Sequence, residues 1–236
     1  MITKIPRIPR LLSAVTVLAA LSWQAAPAAE LGFYVGGSYG NGSKSIDKAL
    51  FGNYATQVFN DIGFLPAQFS STIDTSNPGY GFVAGYRLFP HLAVEGGYME
   101  IGKVRYEART AGSYLQSDGT QIPDTPTMSI NAKTGGFALS ALGILPLSYR
   151  WELYGRAGLM FSSNERTLFL AGNVLSGKEQ VTGSSTDFLV GAGASFTFAE
   201  IYGLRAEYQR VFDAGDSDTV GEGDVDLVTV GVTVQF

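Results

Sequence analysis

The chain has no cysteine and, past its first 28 residues, no apolar run as long as a membrane helix. Without cysteine there is no disulfide framework and no thiolate metal site. Without a long apolar run, the only way left to cross a membrane is a closed β-barrel, which satisfies every backbone group through strand pairing. Basic residues are also scarce, 16 against 21 acidic ones. Three of them, Lys4, Arg7 and Arg10, fall in the first 28 residues and no acidic residue does, leaving 13 basic against 21 acidic afterwards. So acidic a chain argues against a nucleic-acid partner.

Those three cations precede an apolar segment from Leu11 to Trp23, followed by Ala25-Ala26-Pro27-Ala28-Ala29. A basic start, a short apolar stretch and small residues are the signature of a Sec-type signal peptide. The apolar segment has 13 residues, whereas about 20 are needed to span the bilayer, which disfavours a retained anchor. We expect residues 1–28 to be cleaved, with a cut after Ala29 nearly as good, leaving 29–236 as one domain.

Thirty glycines and twelve tyrosines point to strands, and the last nine residues show the pattern most clearly. Val228, Val230, Val232, Val234 and Phe236 occupy one face, with Thr229, Gly231, Thr233 and Gln235 on the other. Eight such segments are predicted, near 32–40, 79–88, 92–106, 128–145, 151–162, 187–198, 202–212 and 225–236. The fourth is apolar on both faces, and Phe137, Leu139, Ala141 and Leu145 are assigned outward because Ser140 suits the other side.

Alternation alone does not say which face is inside, since a soluble lipocalin-like barrel buries its apolar face. The polar face here carries glycine, serine, threonine and scattered charges, not the dense Lys and Glu of a soluble surface. That composition suits an interior. The apolar face also places aromatics at both strand ends: Phe33, Trp151, Phe198 and Tyr202 beside short links, and Tyr39, Tyr80, Tyr98, Phe161, Phe188 and Phe212 toward long ones. Two such girdles are expected at the two membrane interfaces. The predicted fold is all-β, an eight-stranded antiparallel up-and-down transmembrane β-barrel. Three links are short, around Pro90, Pro146 and Ala199, and four are long, roughly 41–77, 107–127, 163–186 and 213–224.

F-Y-V-G-G at 33–37, A-V-E-G-G-Y at 93–98, L-P-L at 145–147, L-Y-G-R-A-G at 153–158 and the terminal Phe236 together resemble bacterial outer-membrane β-barrels of OmpA/OmpX type over nearly all of the chain past the leader. The resemblance implies outer-membrane placement after Sec export, with the short turns and both termini in the periplasm and the long loops outside. It implies contact with outer-membrane lipid and lipopolysaccharide, and recognition of the last strand, through Val232, Val234 and Phe236, by the barrel-insertion machinery. It also leads us to expect a monomeric, stand-alone barrel without the peptidoglycan-binding domain that follows the barrel in OmpA itself.

Glu95, Arg156, Arg205 and Glu207 share the inward parity. Eight strands leave a lumen just wide enough for side chains, so these four are expected to form a salt-bridge network across it. The first reading is a plugged lumen and a structural or surface-interaction role, in adhesion or envelope integrity, with host or surface ligands met by the loops. The alternative is a narrow gated channel for ions or small solutes. Some eight-stranded barrels modify lipid A with a histidine beside a serine or an acid. The single histidine, His91, follows Pro90 in a short turn with no serine nearby in sequence, so no enzymatic activity, catalytic residue, metal or cofactor is expected.

In the first loop Ile46, Leu50, Tyr54, Val58 and Ile62 recur every four residues. Ser45 is a candidate cap, and Gly63 and Pro66 are candidate stops. This is an amphipathic helix for the barrel mouth or the lipid surface, or a transient one, since an isolated helix of this length is marginal. The acidic last loop, with Asp213, Asp216, Asp218, Glu222, Asp224 and Asp226, lacks EF-hand spacing and is taken as solvated, with calcium as the alternative. Lys103, Arg105 and Arg109 fall on the inward parity of the third strand and are expected to line a solvated rim, or else to meet lipopolysaccharide phosphates.

Overall fold

The computed structural model describes residues 31–45, 48–199, 201–215 and 222–236. The expected leader and Asp216 and Asp218 of the last loop lie outside the described residues.

The alternating segments form strands β1 (Gly32–Lys44), β2 (Phe64–Asp74), β3 (Ser76–Phe89), β4 (Leu92–Leu115), β5 (Gln121–Asp124), β6 (Thr127–Pro146), β7 (Trp151–Ala171), β8 (Gly177–Phe198), β9 (Tyr202–Val211) and β10 (Val225–Gln235), with one helix among the described residues, α1 (Lys48–Asp61). Eight of the strands make an antiparallel ring, β1-β3-β4-β6-β7-β8-β9-β10, and β10 returns to β1 in a register from Tyr34↔Gln235 to Lys44↔Val225. The ring has no free edge, as a barrel in lipid requires. Outside the ring, β5 caps a hairpin on β4, and β2 pairs with β4 from Asp74↔Arg105 to Phe64↔Tyr114, above the point where β3 ends its pairing at Tyr80↔Glu100.

The faces decide between a lipid-facing and a soluble barrel. Phe82, Phe137 and Val230 are 64–66% exposed, whereas Glu95 is 2% and Arg156 6% exposed. Apolar side chains thus point outward and charges inward, the reverse of a soluble barrel. On β6, Phe137 and Leu139 point out and Ser140 points in.

The strands next to the long links run well beyond the expected bounds. β4 reaches Leu115, β7 reaches Ala171 and β8 begins at Gly177. Above the upper aromatics the pattern inverts. Ser129, Asn131, Glu165 and Thr167 lie on the outward parity, while Met128, Ile130, Leu168 and Leu170 are buried inside. Water has replaced lipid outside, so the polar residues move to the outer face and an ordinary apolar core forms within. The outward polar residues make these stretches look like loops in the sequence.

A β-bulge marks the change on β4. The β4–β6 register shifts between Glu100 and Lys103, around Gly102 at φ 120°, a backbone region that favours glycine. One extra residue flips every later side chain. Ile101 is inside below the bulge, and Val104, Tyr106 and Ala108 are inside above it. Lys103, Arg105 and Arg109 therefore point outward, with 52% and 62% of the Lys103 and Arg105 side chains exposed, which corrects their expected inward facing.

α1 seats on the upper core. Ala55 and Phe59 are fully buried against Phe64, Tyr106, Tyr114, Met128 and Leu168, and Tyr54, Val58 and Ile62 pack beside them. At about 100° per residue, a four-residue repeat drifts about 40° each step, so the expected Tyr54, Val58 and Ile62 flank the contact, while Ile46 and the Leu50 side chain lie outside the described residues. The contact accordingly centres on Ala55 and Phe59. Gly63, at φ 72°, follows the helix.

The two long hairpins are latched by Asp124. Its carboxylate accepts from the backbone N–H of Thr125, Asn173 and Val174 at 2.7, 2.9 and 3.1 Å and from the Asn173 amide at 3.0 Å. Burial raises the Asp124 pKa, but the bonds from Val174, Asn173 and Thr125 outweigh it and hold the carboxyl below its usual range. A depressed carboxylate stabilises the fold above the unfolded value of about 3.9, and this contribution is lost as pH falls through the folded value. Hydrogen exchange at Asn173 and Val174 should accelerate as pH drops below about 4, after correction for intrinsic rates. In Asp124→Asn it should already be fast at neutral pH. Equal protection in both proteins at neutral pH would contradict the latch.

The charged lumen and its relatives

Three strands turn four charged side chains into the same level of the lumen: Glu95 from β4, Arg156 from β7, and Arg205 and Glu207 from β9. Arg205 Nη1 lies 2.6 Å from Glu95 Oε1, and Arg156 Nη2 bonds the other Glu95 oxygen. Arg156 Nε is 2.7 Å from Glu207 Oε1, an ion pair, and its Nη2 donates to Glu207 Oε2 at 3.3 Å. The hydroxyls of Tyr34 and Tyr154 donate to Glu95 and Glu207 at 2.6 and 3.0 Å. The Arg205 guanidinium lies 4.6 Å from the Tyr154 ring centre and 5.7 Å from that of Tyr34. Two cations and two anions leave the layer neutral. Mutual bonding is what makes such burial tolerable, because each charge alone would cost several kcal/mol.

Small residues make room for the tyrosines. A Cβ on Gly85 would come within 2.3 Å of the Tyr34 ring, and one on Gly193 within 2.5 Å of Tyr154. Toward the short turns a second pair appears, in which Arg87 donates to Glu152 at 2.8 and 3.2 Å and to the Pro90 carbonyl at 2.6 Å. Sequence reasoning missed this pair, although Arg87 on β3 and Glu152 on β7 both have the inward parity. Toward the other end lies an apolar layer of Met99, Ile101, Met160, Leu189 and Leu227, and above it Asp187 accepts from Ser162 and Ser185. Arg205 separates two cavities of about 40 and 50 Å³, the first lined by Glu95, Arg156 and Glu207, the second by Arg87, Glu152 and Tyr154. Each has room for a few waters, at about 10–15 Å³ apiece.

The remaining candidates fall on the outside. Phe33, Trp151, Phe198 and Tyr202 are exposed beside the short turns, and Tyr39, Tyr80, Tyr98, Phe161 and Phe188 at the other end, where the half-buried Phe212 stacks on Phe188 at 6.1 Å. Val232 and Phe236 are exposed and Val234 half-buried. The Phe236 N–H donates to the Phe33 carbonyl at 2.9 Å, and their rings lie 6.2 Å apart. His91 Nδ1 lies 3.2 Å from the Ile144 carbonyl, in the turn between β3 and β4. Asp226 belongs to β10 and not to a loop. Its carboxylate takes two bonds of 2.7 Å from Arg210, and Asp224 accepts from the Asp213 N–H at 3.2 Å. Both acids are thus already engaged within the protein.

A closed antiparallel ring with apolar side chains outside, aromatic bands at both ends and bonded charges inside defines a transmembrane β-barrel. Residues 28–236 match the OmpA-like transmembrane domain, and the chain belongs to that family of outer-membrane barrels. Outer membrane protein A of Klebsiella pneumoniae is 26% identical over 189 residues, covering 78% of this chain and 49% of its own. That of Shigella flexneri is 25% identical over 179 residues, covering 75% and 45%. The chain spans about half the length of these curated relatives. Among solved structures, Neisserial surface protein A is similar over 87% of this chain and 97% of its own, at 18% identity and a TM-score of 0.47. For the N-terminal β-barrel domain of Pseudomonas aeruginosa OprF the figures are 87%, 98%, 15% and 0.42.

Glu95→Ala leaves Arg156 and Arg205 facing each other across a vacated site. It should cost about 3–5 kcal/mol in reversible urea unfolding of the lipid-embedded barrel, the usual penalty for orphaning a buried charge. A loss below about 1 kcal/mol, the range of an exposed pair, would contradict a desolvated network.

Proposed function

We propose that the chain is a closed outer-membrane barrel that holds its long hairpins outside the cell for surface interaction or envelope integrity. The observation that carries this reading is the filling of the lumen. A neutral layer of mutually paired Glu95, Arg156, Arg205 and Glu207 lies below an apolar layer, and α1 sits on the core above both. Opening a path would require separating buried ion pairs and lifting Ala55 and Phe59 out of their packing. Residues 1–28 serve as a cleaved export signal, both termini lie in the periplasm, and the protein acts as a monomer without enzymatic activity or a cofactor. The gated-channel alternative draws only on the two cavities flanking Arg205.

Planar bilayers containing the purified chain should show no steps in conductance, whereas Glu95→Ala loosens the layer and should give intermittent openings. Stepwise conductance of the unaltered chain would overturn the closed reading. In cells, replacing residues 163–186 with a short turn should abolish surface binding while envelope permeability stays normal. Binding that survives the replacement would remove that hairpin from the interaction role.

The last strand is the insertion signal in this reading, supported by the exposed Val232 and Phe236 at the seam between β10 and β1. Deleting Phe236 should lower the amount of barrel in the outer membrane several-fold while the refolded protein keeps its stability. Normal outer-membrane levels would contradict the assignment.

A further inference from the structure

β2 is the terminal strand of the sheet, hydrogen-bonded to β4 alone. Its residues 65–72 are all exposed, so water meets both of its faces. The direction of each backbone group on it follows from the bonds around it. The Leu115 N–H donates to the Gly63 carbonyl at 3.0 Å, and the Thr110 N–H to the Pro126 carbonyl at 3.2 Å. Odd-numbered residues on this part of β4 therefore turn their backbone toward β2, and even-numbered ones turn it away. Arg109, Glu107 and Arg105 thus bond Ser70, Thr72 and Asp74, their partners in the ladder. Phe69, Ser71 and Ile73 alternate with these and turn their N–H and C=O groups to the other side, where no backbone partner exists among the described residues. The same row continues down to Thr75, and there it is used. The Thr75 carbonyl accepts from the Lys44 N–H, at the end of β1, at 3.4 Å. β1 ends at Lys44, so above Thr75 the row runs on without a neighbouring strand.

Edge strands in natural proteins are usually blunted by charges, prolines or bulges. β2 has Pro66 and a bulge between Pro66 and Gln68, but both lie above the exposed row. From Phe64 to Ile73 there is no charged residue. The upper stretch of β8, by contrast, carries Lys178 and Glu179, both exposed. Donors and acceptors that alternate along a strand, repeating every two residues or about 6.6–6.8 Å, are matched by another extended backbone. The side chains beside the row specify the rest. Phe69, Ser71 and Ile73 share the inner parity, and Phe69 is 42% exposed, while Ser70 and Thr72 show hydroxyls on the outer face. A complementary strand is therefore uncharged, with two apolar residues four positions apart, a small one midway, and polar residues between.

We propose that β2 is a docking edge for an extended, uncharged segment of a partner protein, which adds a strand beside Phe69, Ser71 and Ile73 in line with β1. This names the kind of partner for the surface-interaction role, and it rests on that reading for its setting outside the cell. Strand addition to the purified chain does not depend on that setting, so its failure is distinguishable from failure of the functional reading.

The test uses the whole chain refolded into phosphatidylcholine nanodiscs and a fluorescent seven-residue peptide of alternating valine and threonine. The peptide should bind saturably and slow amide hydrogen exchange at Phe69, Ser71 and Ile73, while Ser70 and Thr72, already bonded to β4, stay as they were. Methylating every backbone nitrogen of the peptide keeps its side chains but removes its donors, and should abolish binding. Ser71→Pro removes the central donor of the row without touching a bond to β4, and should weaken binding about tenfold or more. Raising the salt concentration should change little, since no charge takes part. The proposal is overturned if the parent peptide leaves exchange at the three amides unchanged, or if the methylated peptide binds as well as the parent. It is also overturned if raising the density of the barrel alone protects the three amides, because the occupant is then a second copy of this chain.

Discussion

The structure depends on the mutual neutralisation of four charges inside an eight-stranded ring. A ring of this size has no room for bulk water, yet its inner face must be compatible with polar backbone and small side chains. Glu95 accepts from Arg156, Arg205 and Tyr34, and Glu207 from Arg156 and Tyr154. Glycines face each tyrosine, and the tyrosines hold the carboxylates in register. Around that layer the ring closes through β1 and β10, and the outward valines and aromatics have only to match the lipid.

The solvent outside the barrel changes along its length, and the side chains follow. Within lipid, leucine and phenylalanine point out while arginine and glutamate point in. Beyond the upper aromatic band the same strands send serine, threonine and glutamate out and methionine, isoleucine and leucine in. The upper part is an ordinary water-exposed protein with its own core, covered by α1 and tied together at Asp124. One molecule thus carries two opposite hydrophobic arrangements, and its longest strands run continuously through both.

The facing of the membrane segments was legible because lipid imposes a strict two-residue period on large apolar side chains. That period led to Glu95, Arg156, Arg205 and Glu207, which the folded chain brings together at one level. The extensions were hidden because their outward polar residues resemble those of loops, and the inverted period was broken on β4 by one extra residue. Gly102 is one glycine among thirty, and nothing in its neighbours distinguishes a bulge from a plain strand. Arg87 and Glu152 share the inward parity of the named four, but their pairing depends on ring closure bringing β3 and β7 to face each other across the lumen. The Asp124 latch joins residues 49 positions apart and has no local signature.

A double-mutant cycle on Glu95 and Arg156 tests the interdependence of the lumen charges most directly. The two single alanine variants, the double variant and the unaltered chain would be unfolded reversibly in the same lipid. If the charges are buried at each other's expense, removing the second partner should cost much less than removing the first, giving a coupling of about 2 kcal/mol or more. Losses that simply add, to within about 0.5 kcal/mol, would contradict this account.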